Sequence, residues 1–476
     1  MAVLAKEENF VVIELGGYVT KAVIDTTDVN KLPTVSIRTR AGIAKQAHDG
    51  DTTSAGELED EKMDVDNSLD ASKDPNEPSK SQPTTNSMDI DASSPTENET
   101  VADNADDQAN EAATESDLKD DKSEAEVNYV FGEALESADA DTIETTIDII
   151  PDGYVKDWDA LSALLRHILT KELGIRIIDN NSPILFSVPP LWPKTDLESL
   201  TQIAFEHLNA PSILITEQPL MAAFGNGAVT GVVIDIGNTS TTVSAIIDSC
   251  LQTSCIEQSP VAGATVTANL HALLQNSPEV KAQFDDGIVP KELAVALKES
   301  GLCRFQSILG DDDDSDKDDL EPTLFEFQGK KYTINEDILT AAPEILLSST
   351  EAGSMPLATL IKHAILGCET DKRHLLWESI HVVGGSSQFK GLKDHLQRAL
   401  ESTVLPAGNI FANSQTREVR FASIPEYFVG WRNRDHWAAF LGASITAKIA
   451  LGDSKHNINR TEYNESGPSI VHTKSF

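Results

Sequence analysis

The sequence predicts an α/β fold with mixed sheets, built as two similar halves. Two observations support this fold class. Short apolar runs rich in Val and Ile alternate with segments whose apolar residues recur at helical spacing. A strand, a glycine turn and a second strand occur at 10–24 and again at 230–247, about 220 residues later. The chain has 476 residues, which is enough for two lobes that each bury a core.

The predicted elements begin with strands at 10–15 (FVVIEL) and 19–24 (VTKAVI), which form a hairpin around Gly16 and Gly17. Five apolar residues at helical spacing predict a helix over 157–173. The later predicted elements, in chain order, are a buried strand at 182–188 that ends at Pro189, a helix at 197–207, strands at 230–236, 241–247 and 379–383, and a helix at 391–399.

Acidic residues dominate the charge, with a formal net charge of −40 and a pI of about 4.5. Such a chain repels the phosphates of nucleic acid and of anionic membranes, so we expect no strong direct nucleic-acid binding. The N-terminal MAVLAKEENF lacks a signal-peptide pattern, and no apolar run approaches about 18 residues. We therefore expect a soluble cytosolic or nuclear protein. The four cysteines lack CxxC and zinc-ligand spacing, which predicts reduced and mostly buried thiols.

Residues 44–127 are predicted to be a disordered acidic insert. From 45 to 126 the sequence has 25 Asp and Glu against 6 Lys and Arg, and it has no aromatic residue. Such a segment cannot bury enough apolar surface to offset its conformational entropy. A second acidic run at 311–319 (DDDDSDKDD) predicts a solvated loop.

Three glycine turns follow three buried strands. Glycine at a strand end lets backbone N–H groups approach a phosphate or a base without a Cβ in the way. In the first turn, 14–21 (ELGGYVTK), Lys21 can supply positive charge and Glu14 can reach a hydrated Mg²⁺. A plain β-hairpin with a diglycine turn explains this segment equally well.

The second and third turns are 235–241 (DIGNTST) and 384–389 (GGSSQF). An aspartate at the end of a buried strand is costly unless a metal or backbone donors compensate its charge. Asp235 therefore indicates a ligand site, or else a local turn cap. The third turn can pass under an adenosine, with Phe389 beside the base.

Together, and in this order, the turns resemble the two phosphate loops and the adenosine loop of the actin ATPase superfamily. The resemblance covers 8–43 and 128–476. It implies an actin-like fold of two lobes around a nucleotide cleft. Further segments similar to the family are 129–134 (YVFGEA), 150–193, 441–445 (LGASI) and 462–472 (EYNESGPSIVH). The implied domains are a first lobe at 1–43, 128–225 and 437–476, the insert at 44–127, and a second lobe at 226–436.

The resemblance implies ATP with Mg²⁺ as the ligand. Glu14 and Asp235 would face the Mg²⁺ through water, and Gln218 falls where actins keep the glutamine that positions the attacking water. The residues implied to hold the nucleotide are Gly16, Gly17 and Lys21 in the first phosphate loop, Asp235, Gly237, Asn238 and Thr239 in the second, and Lys298, Glu299, Gly384, Gly385, Ser386 and Phe389 around the adenosine.

Departures from the family pattern predict weak or absent hydrolysis. Actins have Asp where this chain has Glu14, and Ser-Gly where it has Gly17 and Tyr18. Actins have Asp-Gly at Asn238 and Thr239, and a proton-relaying histidine at Thr242. A threonine cannot act as a base near neutral pH. We therefore expect that ATP can bind and that the protein is not an efficient enzyme.

Degraded phosphate loops and acidic inserts are typical of the nuclear actin-related proteins, which bind the helicase-SANT-associated helix of chromatin-remodelling ATPases. The resemblance implies a nuclear, transcription-regulating subunit of SWI/SNF or RSC type, with a second actin-related protein as a heterodimer partner. The insert stands where actin carries its apolar filament loop, and charge repels its copies, so we expect no homopolymer.

The partner helix would lie in a groove between the lobes, in a helix-in-groove mode. The groove residues are predicted to be Phe224, Thr446, Ile449 and Leu451, although these residues are also compatible with the ordinary core of a C-terminal helix. Two other functions stay open at this point. One is a slow ATPase that uses its nucleotide as a switch, and the other is a cytoskeletal actin-related protein.

Overall fold

The structure is a computed structural model. It describes residues 9–24, 30–45, 127–139, 142–306, 322–348, 354–404, 418–452 and 455–474, which belong to one structural unit. Residues 46–126 of the predicted insert and the predicted acidic loop at 311–319 lie outside the described residues.

Seventeen strands occur in these ranges. They are β1 Val11–Glu14, β2 Val19–Ile24, β3 Val35–Arg38, β4 Arg40–Ala44, β5 Tyr129–Val130, β6 Ile143–Asp148, β7 Ile184–Val188, β8 Ser212–Glu217, β9 Gly231–Ile236, β10 Thr241–Ile247, β11 Cys250–Leu251, β12 Glu257–Ser259, β13 Thr323–Phe327, β14 Lys330–Ile334, β15 Ile380–Val383, β16 Phe421–Ala422 and β17 Ile458–Asn459.

Thirteen α-helices occur in the same part of the chain. They are α1 Gly132–Glu136, α2 Trp158–His167, α3 Lys194–Gln202, α4 Gln218–Gly225, α5 Gly263–Asn276, α6 Pro278–Lys281, α7 Lys291–Glu299, α8 Glu336–Ala341, α9 Leu357–Gly367, α10 Arg373–Trp377, α11 Leu392–Val404, α12 Ala438–Ala450 and α13 Arg460–Ser466.

Two mixed sheets form the two halves of the fold. The first sheet has the strand order β17-β8-β7-β1-β2-β3, and the second has the order β11-β10-β9-β15-β16, with β12 paired to β10. In each sheet an antiparallel hairpin (β1–β2 or β9–β10) is joined by a parallel strand beside its first member (β7 or β15). The shared topology confirms the predicted α/β class with two similar halves.

The predicted elements are present close to their predicted bounds. The strands predicted at 19–24 and 241–247 are β2 and β10, and β7 is buried along its whole length, as expected for a strand covered on both faces. The helix predicted over 157–173 is α2, which begins where the Asp157 carboxylate accepts from the Ala160 N–H at 2.9 Å. It continues as a π-helical turn at Ile168–Glu172.

Helices α4 and α12 cross between the two sheets at a pair of glycines. A Cβ added to Gly442 would lie 1.8 Å from the Met221 carbonyl oxygen, and one added to Gly225 would lie 2.0 Å from the Ala438 carbonyl oxygen. The two backbones therefore touch, and no larger residue fits at either position. Buried residues of both sheets pack against this crossing, including Val12 and Val233.

All four cysteines are free thiols. Cys250 is exposed in β11 at the edge of the second sheet, whereas Cys255, Cys303 and Cys368 are buried. This confirms the prediction of mostly buried thiols. No helix within the described ranges is long and apolar enough to cross a membrane.

Candidate functional site

The three glycine turns converge on one cavity. The first turn follows β1, the second follows β9 and the third follows β15, so all three leave the ends of central strands. They line a cavity of about 430 Å³, which is within the usual size range for a small-molecule site. Every residue implied to hold a nucleotide lines this cavity, including Lys298, Glu299 and Phe389.

Strand pairing sets the charge at the first turn. Glu14 and Lys21 face each other across the antiparallel β1–β2 pair, and their side chains form an ion pair that is largely buried. The Thr39 hydroxyl donates to the Gly16 carbonyl at 2.7 Å and fixes the turn. The first turn thus carries one carboxylate and one ammonium group at the cavity wall.

The third turn packs directly on the second. The Ser386 hydroxyl donates to the Gly237 carbonyl at 2.8 Å. Gly384 has φ +89°, and a Cβ there would lie 2.2 Å from Oδ1 of Asp235. Glycine is therefore required at 384, both by backbone conformation and by contact with the carboxylate.

Asp235 is electrostatically strained by its surroundings. Burial, and after it the negative charge of Glu14, raises the pKa of Asp235 to about 6, while the positive charge of Lys21 opposes the rise. Two carboxylates and one ammonium group thus share this wall of the cavity. A cation between the carboxylates would favour the ionised form of Asp235.

Lys298 also lines the cavity. Its ammonium group donates to Oδ1 of Asn238 at 3.3 Å and to the Gly263 carbonyl at 3.1 Å. Burial lowers the pKa of Lys298. Burial also raises the pKa of the Cys303 thiol to about 12, so this thiol in the cavity wall is an unreactive neutral group.

The residues present fit a magnesium nucleotide. Glu14 Oε2 is buried and has no hydrogen-bond partner within the described ranges, which is costly unless a cation or its water satisfies the oxygen. Carboxylates such as those of Glu14 and Asp235 are ligands that Mg²⁺ accepts. A Cβ at Gly385 would meet nothing within 4 Å, so the third turn leaves room beside it.

Gln218 and Thr242 also line the cavity. The Gln218 amide nitrogen donates to the Leu15 carbonyl at 2.8 Å and to the Ser187 carbonyl at 3.4 Å, so it joins the ends of β1 and β7. This gives Gln218 a structural role in addition to the one that the resemblance implies, and positioning of water by Gln218 stays a prediction.

Three side chains meet across the exposed rim of the cavity, and we call Tyr18, Arg38 and Glu299 the rim cluster. The Tyr18 hydroxyl donates to Glu299 Oε1 at 2.9 Å, and Arg38 Nη2 donates to the same oxygen at 2.8 Å. The Arg38 guanidinium carbon lies 3.9 Å from the centre of the Tyr18 ring. Sequence reasoning placed Tyr18 beside the phosphates and did not find this cluster.

Sequence reasoning also missed other residues that line the cavity. Trp437 precedes α12, and Asp152 and Tyr154 lie in the turn before α2. Burial, together with the positive charges of Lys21 and Arg434, lowers the pKa of the neighbouring His436 to about 4. No local motif in the sequence marks these positions, because they approach the cavity only through tertiary packing.

The predicted groove residues occupy different environments. Thr446 and Leu451 are 5% and 3% exposed and pack within the chain, whereas Ile449 on α12 is 73% exposed. Phe224 on α4 is half-buried against the core around the helix crossing. Of these four, Ile449 presents the most side chain to a partner. Val229, which follows α4, is also exposed, at 56%.

The sequence model of the Actin family matches residues 6–291 and 314–476. Actin-like protein 9 from Homo sapiens is 27% identical to this chain over 335 residues, which cover 70% of this chain and 74% of that protein. Actin-related protein 7 from Oryza sativa subsp. indica is 26% identical over 342 residues, which cover 71% of this chain and 88% of the rice protein. Because the family match spans most of the sequence and the glycine turns surround one cavity, the chain belongs to the actin family.

Proposed function

We propose that this protein is a non-filamentous scaffold and regulatory subunit of a nuclear ATP-dependent chromatin-remodelling complex of SWI/SNF or RSC type. Its partner is the basic helicase-SANT-associated helix of the remodeller ATPase, with a second actin-related protein as a heterodimer partner. The observation that carries the proposal is that the cavity has Thr242 where actins have a proton-relaying histidine, in a chain that is strongly acidic. Such a chain is suited to holding a basic partner.

Apolar exposure beside the helix crossing supports the groove as the docking surface. Ile449 on α12 and Val229 after α4 expose large apolar side chains, and these two helices pack against each other. An amphipathic helix recognises such a groove through apolar anchors, and the net charge of −40 on the chain attracts a basic helix. Thr446 and Leu451 would support the groove from within the core rather than contact the partner.

ATP with Mg²⁺ is the proposed ligand of the cavity. Bound Mg²⁺ neutralises charge on the phosphates. Glu14 and Asp235 would hold its waters, and Lys21 would meet a phosphate. The N–H groups of the glycine turns would bind the remaining phosphate oxygens. We propose that this nucleotide stabilises the fold and is hydrolysed slowly or not at all.

The test of the scaffold role is capture of partners by the full-length protein, followed by direct binding to a synthetic helicase-SANT-associated helix. Ile449→Asp should weaken helix binding at least tenfold. Ile288→Asp is the matched control, because Ile288 is also an exposed isoleucine, at 62%. Equal binding by the native chain and Ile449→Asp would refute the groove. Cofractionation with cytoplasmic filaments would favour a cytoskeletal protein instead.

A slow nucleotide-switch ATPase is the second candidate, and the position of Gln218 in the cavity wall favours it. That function requires turnover that falls in Gln218→Ala. Single-turnover measurements with radiolabelled ATP separate the two candidates, since the scaffold proposal expects the same slow or undetectable turnover in the native protein and in Gln218→Ala.

A further inference from the structure

We propose that the rim cluster is a latch that holds the two halves of the chain together across the cavity without a nucleotide. Tyr18 lies in the turn between β1 and β2, and Arg38 ends β3, so both belong to the first sheet. Glu299 ends α7, whose buried Leu293 and Leu297 pack in the second half of the chain. The contact therefore joins residues more than 260 positions apart.

The geometry makes the three contacts mutually supporting. A single exposed ion pair contributes little, and Arg38 and Glu299 retain 25% and 41% side-chain exposure. Here Glu299 Oε1 accepts from two donors, and Arg38 also lies over the Tyr18 ring. Each side chain thus restrains the other two. Tyr18 has only two side-chain torsions, so it loses little freedom when it is held.

The latch competes with a ligand for the same oxygen. Glu299 lies in the wall of the cavity, and the resemblance to actins implies that it lies near the ribose and base of a nucleotide. A ribose hydroxyl that binds Glu299 Oε1 would share this oxygen with the Tyr18 hydroxyl or replace it. The two halves of the chain are thus held together at this rim either by the rim cluster or by a nucleotide. The rim cluster would let a subunit keep one shape while its cavity is empty.

The experiment measures amide hydrogen exchange of the full-length chain without nucleotide or partner. Tyr18→Phe removes the hydroxyl and keeps the ring, and Glu299→Gln removes the charge. We expect exchange of residues 14–20 and 235–241 to accelerate about tenfold in each variant, which corresponds to about 1.4 kcal/mol. Glu418→Gln is the control, since its ion pair with Arg420, at 2.6 Å, lies within the second half. It should exchange like the native chain.

Swapping the charges of Arg38 and Glu299 distinguishes a latch from two side chains that each stabilise the fold separately. Arg38→Glu alone should open the cavity, and Arg38→Glu combined with Glu299→Arg should return exchange toward the native rate, because the ion pair is rebuilt in reverse. Native exchange in both Tyr18→Phe and Glu299→Gln, or no rescue by the double variant, overturns the latch. Since no nucleotide or partner is present, this result is independent of the proposed function. If Glu299→Gln does not fold, Tyr18→Phe decides alone.

Discussion

The glycine crossing of α4 and α12 predicts a large effect from the smallest possible substitution. In Gly442→Ala the new Cβ would lie 1.8 Å from the Met221 carbonyl oxygen, whereas ordinary contact begins at 3.4 Å, so the helices must separate by about 1.6 Å. The new Cβ meets backbone atoms and not the end of a flexible side chain, so the cost lies at the upper end of the overpacking range, at about 3 kcal/mol or more. Alanine regains about 1 kcal/mol of helix propensity. We therefore expect a net loss of at least about 2 kcal/mol in the free energy of unfolding.

Urea unfolding followed by circular dichroism measures this loss as a lower midpoint at an unchanged slope. Gly452→Ala is the matched control, because a Cβ there meets nothing within 4 Å. Its free energy of unfolding should stay within about 0.5 kcal/mol of the native value. Equal midpoints for Gly442→Ala and Gly452→Ala would refute the reasoning that the two backbones are in contact.

Three further predictions concern the cavity and its surroundings. Asp235→Asn should raise the free energy of unfolding without ligand by about 1–3 kcal/mol, because it removes a carboxylate whose pKa is raised to about 6. It should also abolish any thermal shift with Mg-ATP, and destabilisation of the empty protein would contradict the prediction. Gly384→Ala should destabilise the chain and weaken binding of a fluorescent ATP analogue by more than tenfold. Alanine is strained at the φ of +89° found at position 384, and its Cβ would clash with Asp235. Native affinity would argue against close packing of the second and third turns. Burial lowers the pKa of His381 to about 4, so between pH 6.5 and 4 the unfolded chain binds a proton that the folded chain does not. The free energy of unfolding therefore falls as the pH falls through that window, by up to about 3 kcal/mol from this residue. His381→Asn should flatten the acid side of a stability–pH curve, and an unchanged slope would refute this expectation.

The repeated strand–turn–strand pattern was enough to predict the fold class, whereas the shared cavity was implied by the resemblance to the actin superfamily. The strand runs before Gly16, Gly237 and Gly384 are short, apolar and ended by glycine, so both their type and their ends are local properties of the sequence. The parallel pairing of β9 with β15 places the second and third turns side by side, while the first turn meets them only through packing between the two sheets. The lobe boundaries and the contacts with ATP and Mg²⁺ stay predictions.

The groove could not be predicted at the level of single residues. Helix α12 is apolar on nearly every side, and ten of its thirteen residues are buried. A helix with no polar face gives no periodic signal for the side that meets solvent, so the exposure of Ile449 and the burial of Leu451 were not separable from sequence. The rim cluster was hidden for another reason, since its residues meet only after both halves have folded.

The unequal exposure of the four cysteines has a practical consequence. Cys250 is accessible, and the other three thiols are shielded by the core. A maleimide dye should therefore modify a folded molecule once and an unfolded molecule four times, so mass spectrometry can measure the fractions of folded and unfolded molecules directly. The same single attachment point, at the margin of the second sheet, allows a fluorophore to be placed there without any mutation.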